Sequence, residues 1–261
     1  MDDEEFLRIV LNDLEPPQSQ VDSLLRLRDN VRSCLYDNMG GKKSMFMAGS
    51  FKKKTMIKRH YDLDMFIIWE PEFIPLNEIE DLFYMVRDAL ITKWKLIWKK
   101  RVGWRIPYEN EFHVDVIPSI EDENDSNFSY LYNCYENTIL RTSMQVHMEQ
   151  INKYDRRDVI KLLKLWKNRR KVPIKTFLLE VLAHLACYNV TRKSLSDQLE
   201  AVFEFIAENI VNRTFYDPAN NNNIITNNLT LEEKYEIRDK ANNALNREFW
   251  GQIFQNIRYN K

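Results

Sequence analysis

The sequence predicts an α+β chain with two lobes: a first lobe carrying a small mixed sheet, and a second that is all helix. Three observations carry this. Short apolar runs at Ser44–Ala48, Leu63–Trp69 and Val114–Ile117 alternate or run continuously over strand-like lengths. Longer segments repeat apolar residues at helical spacing. Strand-like runs stop near residue 125, and only helical patterns are read beyond it, which sets the expected lobes at 1–125 and 126–261.

In order, Glu4 to Leu14 reads as a short helix stopped by Pro16-Pro17. Ser19 to Tyr36 reads as a longer helix with Val21, Leu24, Leu25, Leu27, Val31 and Leu35 as its core stripe. Asn38-Met39-Gly40-Gly41 is a turn, and Ser44 to Ala48 a strand leading into Gly49-Ser50. Lys52-Lys53-Lys54 and Lys58-Arg59 fill a basic turn, and the second strand is Leu63 to Trp69. Asn77 to Lys95 reads as an amphipathic helix, and Leu96 to Pro107 is strand-like and aromatic. Phe112, Val114 and Val116 then share one strand face, with His113 and Asp115 on the other. Glu121 to Asp125 is acidic and reads as a mobile loop. Helices are expected at Asp155–Arg170, Thr176–Tyr188, Ser196–Asn209 and from the capping box Thr230-x-x-Glu233 to about Ile257, with an Asn-rich loop at Asn220–Asn223.

Composition limits the function classes. The chain has 261 residues, 44% hydrophobic, with 38 Lys+Arg against 39 Asp+Glu. That balance speaks against nonspecific coating of long nucleic acid, though local basic patches such as Lys99-Lys100-Arg101 and Arg169-Arg170-Lys171 leave RNA open as a partner. Cys34, Cys134 and Cys187 form no CxxC, so neither a disulfide framework nor a structural zinc site is expected. The acidic MDDEEF start does not read as a signal peptide, and no apolar run approaches membrane-spanning length. A cytoplasmic protein is expected.

The chemistry centres on Gly49-Ser50 and Asp62-Leu63-Asp64. On a strand Asp62 and Asp64 share a face, and two adjacent carboxylates repel unless a divalent cation offsets them. An isolated Asp-x-Asp at a strand start is commonly only a solvated pair. The Gly-Ser turn offers backbone N–H groups and a hydroxyl to phosphate oxygens, and Asp115 supplies a third acid on a strand face. Glu180 and His184, four apart on a helix, read as a hydrogen-bonded structural pair.

Gly49-Ser50, Thr55, Asp62-x-Asp64 and Val114-Asp115-Val116-Ile117-Pro118 resemble the nucleotidyltransferase core of the DNA polymerase β superfamily. Leu162-Leu163-Lys164-Leu165-Trp166, Lys175-Thr176-Phe177-Leu178-Leu179-Glu180 and Asp217-Pro218-Ala219-Asn220 resemble the helical half of oligoadenylate synthetases and cyclic GMP-AMP synthase. Their order is most similar to the bacterial CD-NTases. The resemblance implies a polymerase β-like lobe and a helical lobe completing a nucleoside triphosphate cleft. It implies two Mg2+ ions, or Mn2+ in their place, held by Asp62, Asp64 and Asp115 as the catalytic acids. Gly49, Ser50, Lys164 and Thr176 would bind the nucleotide, with Lys161 a weaker candidate. The implied reaction joins nucleoside triphosphates, ATP among them, into a cyclic di- or oligonucleotide messenger of antiphage signalling, with a protein regulator as a partner. Three alternatives stay open: template-independent addition to RNA 3′ ends, transfer of a nucleotide to a small molecule or protein, and a non-catalytic nucleotide- or RNA-binding module. Two departures are visible. The family has Gly where this chain has Lys54, which is costly if that residue takes a positive φ. The zinc ribbon by which cyclic GMP-AMP synthase engages DNA has no counterpart here.

Overall fold

The computed structural model describes residues 2–58, 62–108, 112–152, 156–190 and 193–255, and of 150–152 and 189 the backbone alone. Arg59 of the basic turn, Asp155 at the start of an expected helix, and the expected helix end near Ile257 lie outside the described residues. The chain divides into two compact units, residues 16–146 and residues 1–15 with 147–261. The division therefore falls at Val146/His147 rather than near 125, and the first helix goes with the C-terminal unit.

The 16–146 unit holds a mixed sheet with the order β1-β2-β5-β4-β3, to which β6 and β7 are added through β5. Its strands are β1 (Lys43–Met47), β2 (Leu63–Trp69), β3 (Trp98–Lys100), β4 (Gly103–Pro107), β5 (His113–Glu121), β6 (Ser129–Asn133) and β7 (Thr138–Thr142). β2 and β5 run parallel and the other paired strands antiparallel. Two helices cover one face, α2 (Gln18–Asn38) and α4 (Ile79–Ile91), with the five-residue α3 (Gly49–Lys53) after β1; α1 (Asp3–Leu14) belongs to the other unit. β2 alternates buried and partly exposed residues along its whole length. Leu63, Met65, Ile67 and Trp69 pack with Val114, Val116, Trp104 and Ile106 against Leu24, Leu27, Val31, Phe83 and Val86. Because side chains alternate across a strand, burying that set turns Asp62, Asp64 and Asp115 to the other face.

β6 and β7 overturn the expectation of helix from Asn127 onward. Asn137, at φ 52, makes the left-handed turn between them. The expected mobile loop at 121–125 is held too. Asp122 is buried and accepts bonds from Arg141, Tyr130 and the Asn124 N–H. Together these keep its carboxyl below the usual range despite burial.

The other unit contains α1 (Asp3–Leu14), α6 (Arg157–Arg170), α7 (Thr176–Ala186), α8 (Leu195–Asn209), α9 (Leu231–Leu245) and the one-turn α10 (Gly251–Phe254). α5 (Met144–Asn152) crosses the division. Trp166 meets Phe203 edge-on at 5.0 Å, and Phe203 leads to Trp250 at 6.1 Å. α1 is tied in by Arg8 to Asp158 and by Glu4 to the Leu195 N–H. The capping box at Thr230 and Glu233 forms as expected. The helix it starts ends at Asn246 instead of continuing, and Trp250 introduces α10. The Asn-rich loop is also different: Asn220–Ile224 forms β9, paired with β8 (Tyr216–Asp217). No described helix is long and apolar enough to cross a membrane.

Candidate active site

Strand register builds the site. Asp64 on β2 stands directly opposite Asp115 on β5, and Asp115 directly opposite Arg105 on β4. One row across three neighbouring strands thus reads carboxylate, carboxylate, guanidinium. Asp62 and His113 each lie two residues before a member of that row, on the same face. Asp62, His113 and Asp115 offer ligand atoms that all lie within 4.8 Å of one another, making a group able to hold a metal ion.

Two of the acids already have side-chain partners. Arg105 donates from Nε and Nη2 to the two oxygens of Asp115, each at 2.7 Å, and Nη2 lies 3.9 Å from Asp62. His113 Nε2 is 2.9 Å from the other acid, at Asp62 Oδ2. The three acids raise the guanidinium's pKa, Asp115 most of all through its hydrogen bonds.

Asp64 is the strained member. Burial, followed by the charges of Asp62 and Asp115, pushes its carboxyl up to about 7, against a smaller opposing pull from Lys53 and His113. A partly buried acid facing two like charges is a poor element of a merely structural surface, and a divalent cation would offset all three. The carboxylate oxygens are hard donors and fit Mg2+ or Mn2+, whereas the His113 imidazole beside them is a borderline donor.

Gly49 makes the close packing feasible. Its φ is +56, and a Cβ there would stand 1.6 Å from Asp64 Oδ2. The Ala48 N–H donates to the Asp64 carbonyl, fixing the chain between β1 and α3 against β2. Ser50 follows in α3, and its Oγ is buried without a hydrogen-bond partner among the described residues. An orphaned buried hydroxyl costs stability unless a ligand completes it. Lys54 ends α3 at φ 56 and ψ 37, the left-handed conformation that the departure from Gly made costly.

Two predicted nucleotide residues lie in the helical unit. Lys164 and Lys161 are buried on α6 rather than solvated flank residues. Lys164 Nζ is 3.7 Å from Glu180, and Lys161 pairs with Glu15. Thr176, at the start of α7, accepts from Lys167 at 3.1 Å. Glu180 therefore has a lysine partner that the expected pairing with His184 did not include. Sequence reasoning also missed Arg105 and gave His113 no role. The two-residue step from His113 to Asp115 was a usable signal, whereas Arg105 needed the register of β4 on β5.

No protein-family model matches the chain. It is 22% identical over 276 residues to the CBASS oligonucleotide cyclase CdnC of Escherichia coli strain KTE188, covering 90% of this chain and 85% of that protein. The solved E. coli MS115-1 CdnC in complex with HORMA-deltaN superposes at a TM-score of 0.74 and 17% identity, covering 97% of both chains. The same CdnC with ATP gives 0.74 at 18% identity and 98% coverage of both. The Bradyrhizobium diazoefficiens CD-NTase CdnG in complex with GTP gives 0.75 at 12% identity, covering 92% of this chain and 89% of that one. The fold is that of these solved structures, an α+β architecture as expected.

Proposed function

We propose that this chain, having the CD-NTase fold, is a divalent-metal-dependent nucleotidyltransferase that joins nucleoside triphosphates into a cyclic di- or oligonucleotide. The observation that carries the reading is the row of Asp64 against Asp115, with Asp62 on the same face. In each joining step a ribose hydroxyl oxygen bonds to the α-phosphorus of a second nucleotide, and the α–β anhydride bond breaks. Pyrophosphate leaves and the hydroxyl proton is released. Ring closure repeats the exchange within the chain.

Asp62, Asp64 and Asp115 would hold two Mg2+ ions, which when bound supply Lewis-acid activation of the hydroxyl and charge neutralisation at the phosphates. The protein's own part is preorganisation. Arg105 and His113 fix two of the acids in place, and Gly49 lets Asp64 approach the β1–α3 turn. In this reading Gly49 and Ser50 bind triphosphate oxygens, completing the Ser50 hydroxyl, and Lys164 and Thr176 also serve the nucleotide. ATP is a substrate by likeness to CdnC, whose structure contains it. A HORMA-type protein is the class of regulator proposed, again by that likeness. The setting proposed is cytoplasmic antiphage signalling.

Incubation of the purified protein with labelled nucleoside triphosphates and Mg2+, followed by mass analysis, tests the proposal. Cyclic products, lost in Asp62→Asn and Asp64→Asn variants of unchanged circular dichroism, are the expected result. Extension of an added RNA instead of cyclic product would move the reading to terminal nucleotide addition. Undiminished turnover in either variant would overturn the role of the acids.

A further inference from the structure

We propose that Arg105 is a positioning residue of the metal site, which orients Asp115 through both carboxylate oxygens while holding down the site's affinity for divalent cations. The inference rests on the reading of Asp62, Asp64 and Asp115 as metal ligands.

The geometry separates two effects of one side chain. The first is orientation. A guanidinium fork bonded at 2.7 Å to both oxygens removes the rotation of the carboxylate plane. Each carboxylate oxygen has two lone pairs, and the fork uses one on each. One lone pair per oxygen remains for a metal, so Arg105 need not leave Asp115 when the ion binds. The second effect is charge. The same guanidinium lies 3.9 Å from Asp62 and, at 21% side-chain exposure, is largely withdrawn from solvent. It serves the acids as a resident cation and repels an incoming dication. A pair serving only to fasten β4 to β5 would not also lie within reach of a second acid of the metal group. Trp104 and Ile106, the neighbours of Arg105 on β4, already anchor that strand in the core.

The test reads Mn2+ binding by electron paramagnetic resonance of the free ion, without nucleotide, together with melting temperature in EDTA. Native protein should bind Mn2+. In Arg105→Gln the affinity should rise about fivefold or more, the scale of a unit charge acting across a solvent-screened site. Its melting temperature should fall in EDTA and recover at saturating Mn2+. Arg105→Lys keeps the charge and loses the fork, and serves even if Arg105→Gln does not fold. Its Mn2+ affinity should stay within about twofold of native, while turnover at saturating Mn2+ falls about tenfold. Unchanged or weaker Mn2+ binding in folded Arg105→Gln, or full turnover in Arg105→Lys, overturns the inference and leaves the proposed function intact. Failure of the native protein to bind Mn2+ overturns both.

Discussion

Neutralising Asp64 should stabilise the metal-free protein while destroying its chemistry. The carboxyl rises from 3.8 to about 7 on folding, chiefly through burial and then through Asp62 and Asp115. Between those values the unfolded chain has lost this proton and the folded chain keeps it. Unfolding therefore releases a proton, so this group's contribution to stability falls as pH rises from about 4 to 7 and is flat above. The full shift corresponds to about 4 kcal/mol. Asp64 is only partly buried, and solvent screening reduces this to about 1–3 kcal/mol. Asp64→Asn should thus match native stability near pH 4 and exceed it by that amount at pH 8. Urea denaturation in EDTA, run at several pH values on both proteins, measures the difference directly. Saturating Mg2+ should narrow or reverse the gap, since only the native site binds the ion tightly. A variant no more stable at pH 8, or a gap that does not open between pH 4 and 7, would refute the electrostatic account.

Three further outcomes follow from single residues. Gly49→Ala places a methyl on the Asp64 carboxylate and forces a left-handed alanine, so chemical denaturation should show a loss of about 2 kcal/mol or more, with weakened Mn2+ binding. Lys54→Gly relieves a positive φ and pays back part of the gain in unfolded-chain entropy, leaving a net stabilisation of about 0.5–1 kcal/mol in the same assay. Glu180→Ala leaves Lys164 buried without its carboxylate, and a loss of about 2–4 kcal/mol is expected by urea titration, whatever Lys164 also does for the nucleotide.

The strands carrying the acids were legible because burial imposes a two-residue period that β2 follows throughout. The capping box at Thr230 announced α9 for an equally local reason. The segment after residue 125 was misread. Ser129–Asn133 is too short to distinguish strand from helix by apolar spacing, and its signal lay in the Asn137 turn instead. The end of α9 was missed because Trp250 and Phe254 resume a helical spacing that belongs to a separate turn. Within the site, Asp62 and Asp64 could be placed on one strand face from sequence and Asp115 on a face of its own strand, and the resemblance grouped the three; their common face follows from the register of β2 on β5. The pairing of Arg105 with Asp115 could not, since it depends on which residue of β4 falls opposite which residue of β5. Neither could the pairs Lys161–Glu15 and Arg8–Asp158, which join residues 146 and 150 positions apart.

That α1 belongs with residues 147–261 has a consequence for how the protein emerges from the ribosome. The 16–146 stretch is one uninterrupted insert, so its sheet can close once residue 146 has been released. α1 is made before that stretch but must wait, since the Asp158 carboxylate and the Leu195 N–H that hold it come much later. Until then its apolar side, Phe6, Leu7, Leu11 and Leu14, lacks its native cover, so a sticky helix precedes the folded sheet in the nascent chain.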